Sequence, residues 1–79
     1  MAEQSEAAQA VVKRSLQISG HRTSVSLEKI FWDELRAIAS AQAKSVAALV
    51  GEVDATRGEA NLSSALRVFV LRNLQARLK

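Results

Sequence analysis

One short segment with the alternation of a β-strand, residues 22–27, stands in a sequence whose other patterns are mostly helical. Thr23, Val25 and Leu27 would face one side of this strand, and the polar residues between them would face the other side. Unpaired backbone N–H and C=O groups are costly in a packed fold, so a lone strand needs a partner. The strand must therefore pair with another part of the chain or with another chain.

The partner of this strand is open to two interpretations. Residues 14–18 also alternate, and a tight turn at Gly20 and His21 would let them fold back as a hairpin. The alternative, which we expect, is antiparallel pairing with the same strand of a second copy about a two-fold axis. A chain of 79 residues without cysteine has a small core and no disulfide, so association also adds needed stability.

The rest of the pattern predicts three helices after the strand. Phe31, Leu35 and Ile38 recur at the spacing of one helix face. Ser45 is a suitable N-cap for a second helix, and Asn61 is suitable for a third. The expected fold class is therefore mainly α with one short β-strand, in which the strand is followed by three helices.

Composition divides the chain into a tail and one domain. Residues 1–12 are rich in alanine and lack a helix cap, so we expect a flexible N-terminal tail before a single domain at residues 13–79.

Positive charge is concentrated in residues 11–27 and in residues 62–79, which contain no acid. A polyanion would bind at one of these two basic segments.

Several classes of function are disfavoured by what the sequence lacks. It has no apolar run near the ~20 residues that span a bilayer and no signal-like apolar segment, so we expect a cytoplasmic protein without membrane contact. With no cysteine and one histidine it offers no Cys/His zinc site. Its three glycines form no phosphate-binding loop, and no nucleophile–base spacing is present. We therefore expect a protein that is not an enzyme, with no catalytic residues, metal or cofactor.

Two sequence strings resemble a known family. They are GHRTSVSLE at residues 20–28 and NLSSALRVFV at residues 61–70. Together with the strand-helix-helix pattern, they are similar to a short bacterial subfamily of the ribbon-helix-helix DNA-binding proteins. The resemblance implies an intertwined homodimer whose intermolecular antiparallel β-ribbon lies in the major groove. It implies sequence-specific binding of double-stranded DNA by a transcriptional regulator, associated with the nucleoid when bound. The third helix would be an addition to the minimal family domain.

The resemblance also implies roles for individual residues. The outward residues of the strand would contact bases: Arg22, Ser24 and Ser26. Residues at the start of the second helix and beside the strand would contact phosphates: Lys44, Ser45, Val46, His21 and Arg14. The dimer core would contain the apolar residues of the strand and helices: Val25, Leu27, Phe31, Leu35, Ile38, Val46, Val50 and Phe69.

Two features depart from the family pattern, and one alternative function remains open. Two of the three outward strand residues are serines, where the family more often has long polar or basic residues. Ala43 stands where a glycine commonly turns between the two helices, and a left-handed conformation of alanine costs about 1 kcal/mol. The alternative function is a protein–protein adaptor or antitoxin-like module. It would use the wide apolar surface of the C-terminal helix to hold a protein partner.

Overall fold

The fold is known from a computed structural model that describes residues 7–78, so residues 1–6 and 79 lie outside the described part of the chain. Its main elements are strands β1 (Val11–Ile18) and β2 (His21–Glu28) and helices α1 (Lys29–Ala41), α2 (Val46–Thr56) and α3 (Leu62–Arg77). Residues 7–9 are also helical. The predicted mainly helical class is confirmed.

The two strands form an antiparallel hairpin within one chain. Each strand is eight residues long, and the two are paired over their whole length from the Ile18–His21 pair beside the turn. Ser19 and Gly20 make the connection with positive φ angles of 50° and 85°. Two central residues with positive φ are typical of the type I′ turn, whose twist matches that of the paired strands.

The prediction of a single strand is wrong, because β1 pairs with one edge of β2 over its whole length. In this two-stranded sheet β2 keeps a second edge, so the intermolecular antiparallel β-ribbon stays a prediction. The turn lies one residue earlier than the Gly20–His21 turn considered from the sequence, and it places Ser19 in a conformation that glycine favours. β1 begins at Val11, before the predicted domain boundary at residue 13. The helical turn at residues 7–9 lies within the segment for which a frayed tail or a nascent helix is the sequence-based expectation.

One side of the hairpin packs on the three helices around a single core. Val25 and Leu27 of β2 are buried, and the fully buried Trp32 of α1 donates its indole N–H to the Val12 carbonyl at 2.9 Å. Five of the residues predicted for a dimer core are buried within this chain, namely Val25, Leu27, Leu35, Ile38 and Val50. The other three, Phe31, Val46 and Phe69, are partly buried against the same core. Contact of these residues with a second chain stays a prediction.

Candidate nucleic-acid interface

The side of the hairpin that faces away from the helices carries exposed polar residues from both strands. In cross-strand pairs these are Lys13 with Ser26, Ser15 with Ser24, and Gln17 with Arg22. We call these six residues the outer face. It contains two bases, and the next pair along the same side, Val11 with Glu28, adds one acid. The β2 half of the outer face consists of the three residues predicted from the sequence to contact bases.

The dimensions of the outer face suit a DNA groove. At ~3.4 Å per residue, the first and last cross-strand pairs lie about 14 Å apart, which corresponds to about four base-pair steps. The two strands are ~4.8 Å apart, whereas the major groove of B-DNA is about 12 Å wide. A two-stranded β-ribbon is one of the shapes that this groove admits.

Two contacts with α3 hold the end of β2 in place. The Ser63 hydroxyl donates a hydrogen bond to the Ser26 carbonyl at 3.1 Å. The Arg67 guanidinium forms an ion pair with the Glu28 carboxylate at 3.0 Å and lies 5.9 Å from the centre of the Phe31 ring. The pKa of Glu28 is lowered by a hydrogen bond from its own backbone and then by the hydrogen bond from Arg67. The acid nearest to the outer face is therefore neutralised by a base.

The start of α2 lies beside β1. The Ala48 N–H donates to the Ser45 hydroxyl oxygen at 3.0 Å, so Ser45 is the N-cap that the sequence predicted. Ser45 shares a surface hollow with Gln17, and the half-buried Val46 shares another with Arg14. The partial positive charge of a helix N-terminus is thus next to the strand that borders the outer face.

The remaining residues predicted to contact phosphates have other neighbours. Lys44 forms an ion pair with Glu52, so a phosphate would compete with this carboxylate. The Arg14 guanidinium lies 5.6 Å from the centre of the Trp32 ring and is exposed. His21 borders a hollow that Asp54 and Arg57 also line, near the end of α2 rather than its start. The structure therefore places Arg14 beside Val46 at the start of α2, next to Lys44 and Ser45 in sequence, and places His21 near the end of that helix.

The sequence pattern alone gives no base-contacting role to the β1 half of the outer face. Ser15 and Gln17 alternate with the apolar Leu16 and Ile18, so the signal for an outward-facing row was present. This alternation indicates residues of the outer face only when β1 is paired with β2. Lys13 then joins the same row at the far end of the hairpin from the turn.

A separate apolar groove of about 410 Å³ lies between α1 and α3. Ile30 from α1 and Val68 and Leu71 from α3 are about half exposed along it. Glu34 and Arg67, which have opposite charges, also border the groove. We call this surface the α1–α3 groove. One wall of this groove is the apolar C-terminal helix, which would hold a protein partner in the alternative function predicted from the sequence.

Other kinds of site find little support among residues 7–78. No group of three or more histidine, cysteine, aspartate or glutamate residues within this range is arranged to hold a metal ion. No helix in the same range is long and apolar enough to cross a membrane.

Comparison with known proteins identifies the family. A family model described as "Ribbon-helix-helix domain" matches residues 11–74. This range begins with β1 and ends within α3. The chain therefore belongs to the ribbon-helix-helix domain family, and the family predicted from the sequence is confirmed. Proteins of this family generally bind DNA as transcriptional regulators and are generally not enzymes.

A similar solved structure is that of an uncharacterized protein from Bordetella pertussis Tohama I. The two sequences are 40% identical, and the structures superpose with a TM-score of 0.78 over 91% of this chain. The matched region is 63% of the other chain, so this chain spans less than two thirds of its length. A search of the curated proteins gives no match.

Proposed function

We propose that this protein binds double-stranded DNA sequence-specifically through the outer face of its hairpin and regulates transcription. The observation that carries the proposal is the outer face itself, which is an exposed two-stranded ribbon with two bases and no acid. The general DNA-binding role of ribbon-helix-helix domains supports it. The hairpin would lie in the major groove with its apolar side still packed on the helices.

Within this proposal, base contacts and phosphate contacts come from different parts of the surface. Arg22 is suited to a bidentate contact with O6 and N7 of guanine, and Ser24 and Ser26 can each donate or accept a hydrogen bond. The amides at the start of α2, at Ser45 and Val46, would contact a phosphate beside β1. These phosphate contacts would orient the hairpin, while the outer face would distinguish sequences.

The first test is selection from a pool of duplexes with a randomised central segment, followed by titration of the enriched duplex. Binding at 50 mM salt should weaken steeply at 200 mM, by about 3.5-fold for each phosphate that a basic residue neutralises. Arg22→Ala should lose about 1–3 kcal/mol of discrimination and relax the preference at one base pair. The matched control Arg72→Ala removes the same charge from the exposed surface of α3 and should leave the base preference unchanged.

Two results would count against DNA binding. One is failure of the protein to bind any duplex of the pool at 50 mM salt. The other is binding whose base preference is the same for the wild type and for Arg22→Ala. Binding that depends on salt but shows no base preference would limit the function to non-specific association with DNA.

We also propose that the protein is a homodimer in which a second copy covers the α1–α3 groove. Ribbon-helix-helix domains typically dimerise, and the hairpin has already paired β2 within one chain. Ile30, Val68 and Leu71 provide apolar surface for such a contact. In a two-fold contact both copies use the same patch, so the apolar residues of this groove on one copy would meet those on the other.

Sedimentation at micromolar concentration tests this dimer. Leu71→Glu places a charge in the groove and should shift the protein to monomers, because a buried unpaired charge is costly. The matched control Leu78→Glu changes a residue that is 86% exposed and does not line the groove, so it should remain dimeric. A folded wild-type monomer, or a dimer unaffected by Leu71→Glu, would contradict this interface. A monomer that also binds no DNA would favour the adaptor or antitoxin-like function.

A further inference from the structure

β2 has one edge that β1 does not use. A two-residue turn joins residues that are hydrogen-bonded to each other, here Ile18 and His21. Because hydrogen-bonded and non-hydrogen-bonded pairs alternate along an antiparallel ladder, the backbone groups of Arg22, Ser24 and Ser26 point away from β1. An edge with free N–H and C=O groups is a template for a further strand.

This second edge of β2 is continuous with the α1–α3 groove. The Ser63 hydroxyl of α3 donates to the Ser26 carbonyl, and Arg67, which borders the groove, is paired with Glu28 at the end of β2. A second copy that covers the groove would therefore reach this edge, where its own β2 can pair antiparallel about the same two-fold axis. The Ser26 carbonyl has two lone pairs, so the bond from Ser63 leaves one for the partner strand.

Such a pairing places β1 outside two central strands. With strands ~4.8 Å apart, each β2 lies about 2.4 Å from the two-fold axis and each β1 lies about 7 Å from it. The major groove of B-DNA is about 12 Å wide, so its two walls, the sugar–phosphate backbones, stand about 6 Å from its middle. β1 would therefore lie at a wall of the groove rather than over the base edges.

The start of α2 lies on the same side of the hairpin as β1. Gln17 of β1 shares a hollow with Ser45, and Arg14 shares another with Val46. The order across this surface is thus β2, β1 and the start of α2. β1 contains two bases and no acid, and the exposed Lys13 and Gln17 extend from it on the outer face. Its charge is complementary to a phosphate backbone.

We propose that β1 is a phosphate-contacting strand, in which Lys13 and Gln17 bind the DNA backbone at the wall of the major groove while β2 contacts the bases. The proposal rests on the proposed DNA binding and on the pairing of β2 with its copy, and it adds the strand that holds the backbone. A lysine ammonium is a point charge suited to a phosphate, and a glutamine amide can donate to a phosphate oxygen. The β1 strands of the two copies would contact opposite walls of the groove.

Salt titration of single variants with the selected duplex tests Lys13. Lys13→Ala should reduce the loss of binding between 50 and 200 mM salt by about 3.5-fold for each copy of the chain. It should weaken preferred and unrelated duplexes alike, because a phosphate contact carries no sequence information. Lys13→Arg keeps the charge and should bind as the wild type does. The matched control Arg72→Ala removes a charge from the exposed surface of α3 and should leave the salt dependence unchanged.

The same titration tests Gln17, which carries no charge. Gln17→Ala should weaken preferred and unrelated duplexes alike and leave the salt dependence unchanged, since no counterion is released by a neutral side chain. The matched control Gln75→Ala changes an exposed glutamine of α3 and should bind both kinds of duplex as the wild type does.

Duplexes with one neutral methylphosphonate in place of a phosphate locate the contact. The wild type should lose affinity when the substitution falls on the phosphate that Lys13 contacts, once on each backbone strand. Lys13→Ala should no longer respond to the substitution at these two positions, whereas Arg22→Ala should respond as the wild type does.

Single cysteines test the order of the strands. Ser24 and Ser15 are exposed and directly opposite in the hairpin, and the sequence has no native cysteine. Ser24 is the middle residue of its row, so Ser24→Cys should oxidise to a disulfide-linked dimer. The two copies of Ser15 would lie about 14 Å apart, beyond the reach of a disulfide. Ser15→Cys should therefore stay a monomer on non-reducing electrophoresis.

The outcomes separate this proposal from the proposed function. If no duplex is enriched, DNA binding itself fails. If Arg22→Ala relaxes the base preference while Lys13→Ala leaves the salt dependence unchanged, or if Gln17→Ala relaxes the preference at one base pair, DNA binding stands and the phosphate-contacting role of β1 is overturned. Failure of Ser24→Cys to link, or linking of Ser15→Cys as readily as Ser24→Cys, would overturn the placement of β1 outside two paired β2 strands.

Discussion

At the scale of single residues, two turns hold non-glycine residues in the left-handed region. Ser19 adopts this conformation in the hairpin turn, and Ala43, with φ of 56°, adopts it between α1 and α2. The N–H of Lys44 donates to the carbonyl of Ala39 at 2.9 Å across the second turn, which is the arrangement of a helix C-cap. A glycine at this position would adopt the same conformation without a Cβ clash.

Ala43→Gly should therefore increase the free energy of unfolding by about 1 kcal/mol, because glycine relieves the left-handed strain. The matched control is Ala37→Gly on the exposed part of α1, which should lower that free energy by about 1 kcal/mol through loss of helix propensity. Urea titration of both variants measures the two effects. A loss of stability in Ala43→Gly would mean that the turn gains nothing from glycine.

The residues of the candidate site were predictable to different degrees. Strict alternation was sufficient to identify Arg22, Ser24 and Ser26 as outward-facing, because side chains on a strand alternate between its two faces. The N-cap at Ser45 followed from residue type and position. The ion pair of Lys44 with Glu52 could not be predicted, since it depends on how the turn directs one side chain onto the next helix.

At the scale of elements, the sequence predicted the helices, whereas it left β1 as one of two alternatives for pairing β2. Apolar spacing and caps identify α1, α2 and α3, because each follows one local periodicity. β1 has the charged Arg14 on the side that faces the helices, which interrupts its apolar row. Arg14 remains exposed there and lies over the Trp32 ring, so the interruption costs no buried charge. The presence of an arginine on this side of β1 is explained only by its contact with Trp32, which is distant from it in sequence.

The position of the hairpin turn was also difficult to predict from the sequence, because Ser19 is unusual at its place in the turn. Type I′ turns favour residues that accept positive φ at both central positions, and Ser19 is a weaker signal than the asparagine or glycine usually found there. The paired strands and the packing on the helices hold Ser19 in place. Hydrogen bonds outside the ladder, from Trp32 to Val12 and from Ser63 to Ser26, also fix the hairpin to α1 and α3.

At the scale of the whole molecule, the hairpin changes what a second copy has to supply. Size and the lack of disulfides suggested that another chain would complete the sheet and the core. Within residues 7–78 the chain pairs its own strands and buries its own apolar side of the hairpin. Three of the large apolar side chains that stay exposed, Ile30, Val68 and Leu71, lie together in the α1–α3 groove. A dimer formed there would carry two ribbons, each available to one half-site of the DNA.

The most direct test of the central claim is NMR chemical-shift mapping of the labelled protein with the duplex enriched by selection. Binding through the hairpin predicts that the largest shift changes fall on the backbone amides of both strands of the outer face, from Lys13 to Gln17 and from Arg22 to Ser26. Smaller changes should occur at Ser45 and Val46, and the amides of the α1–α3 groove should change little. Shift changes centred on that groove, with the hairpin amides unaffected, would contradict the claim.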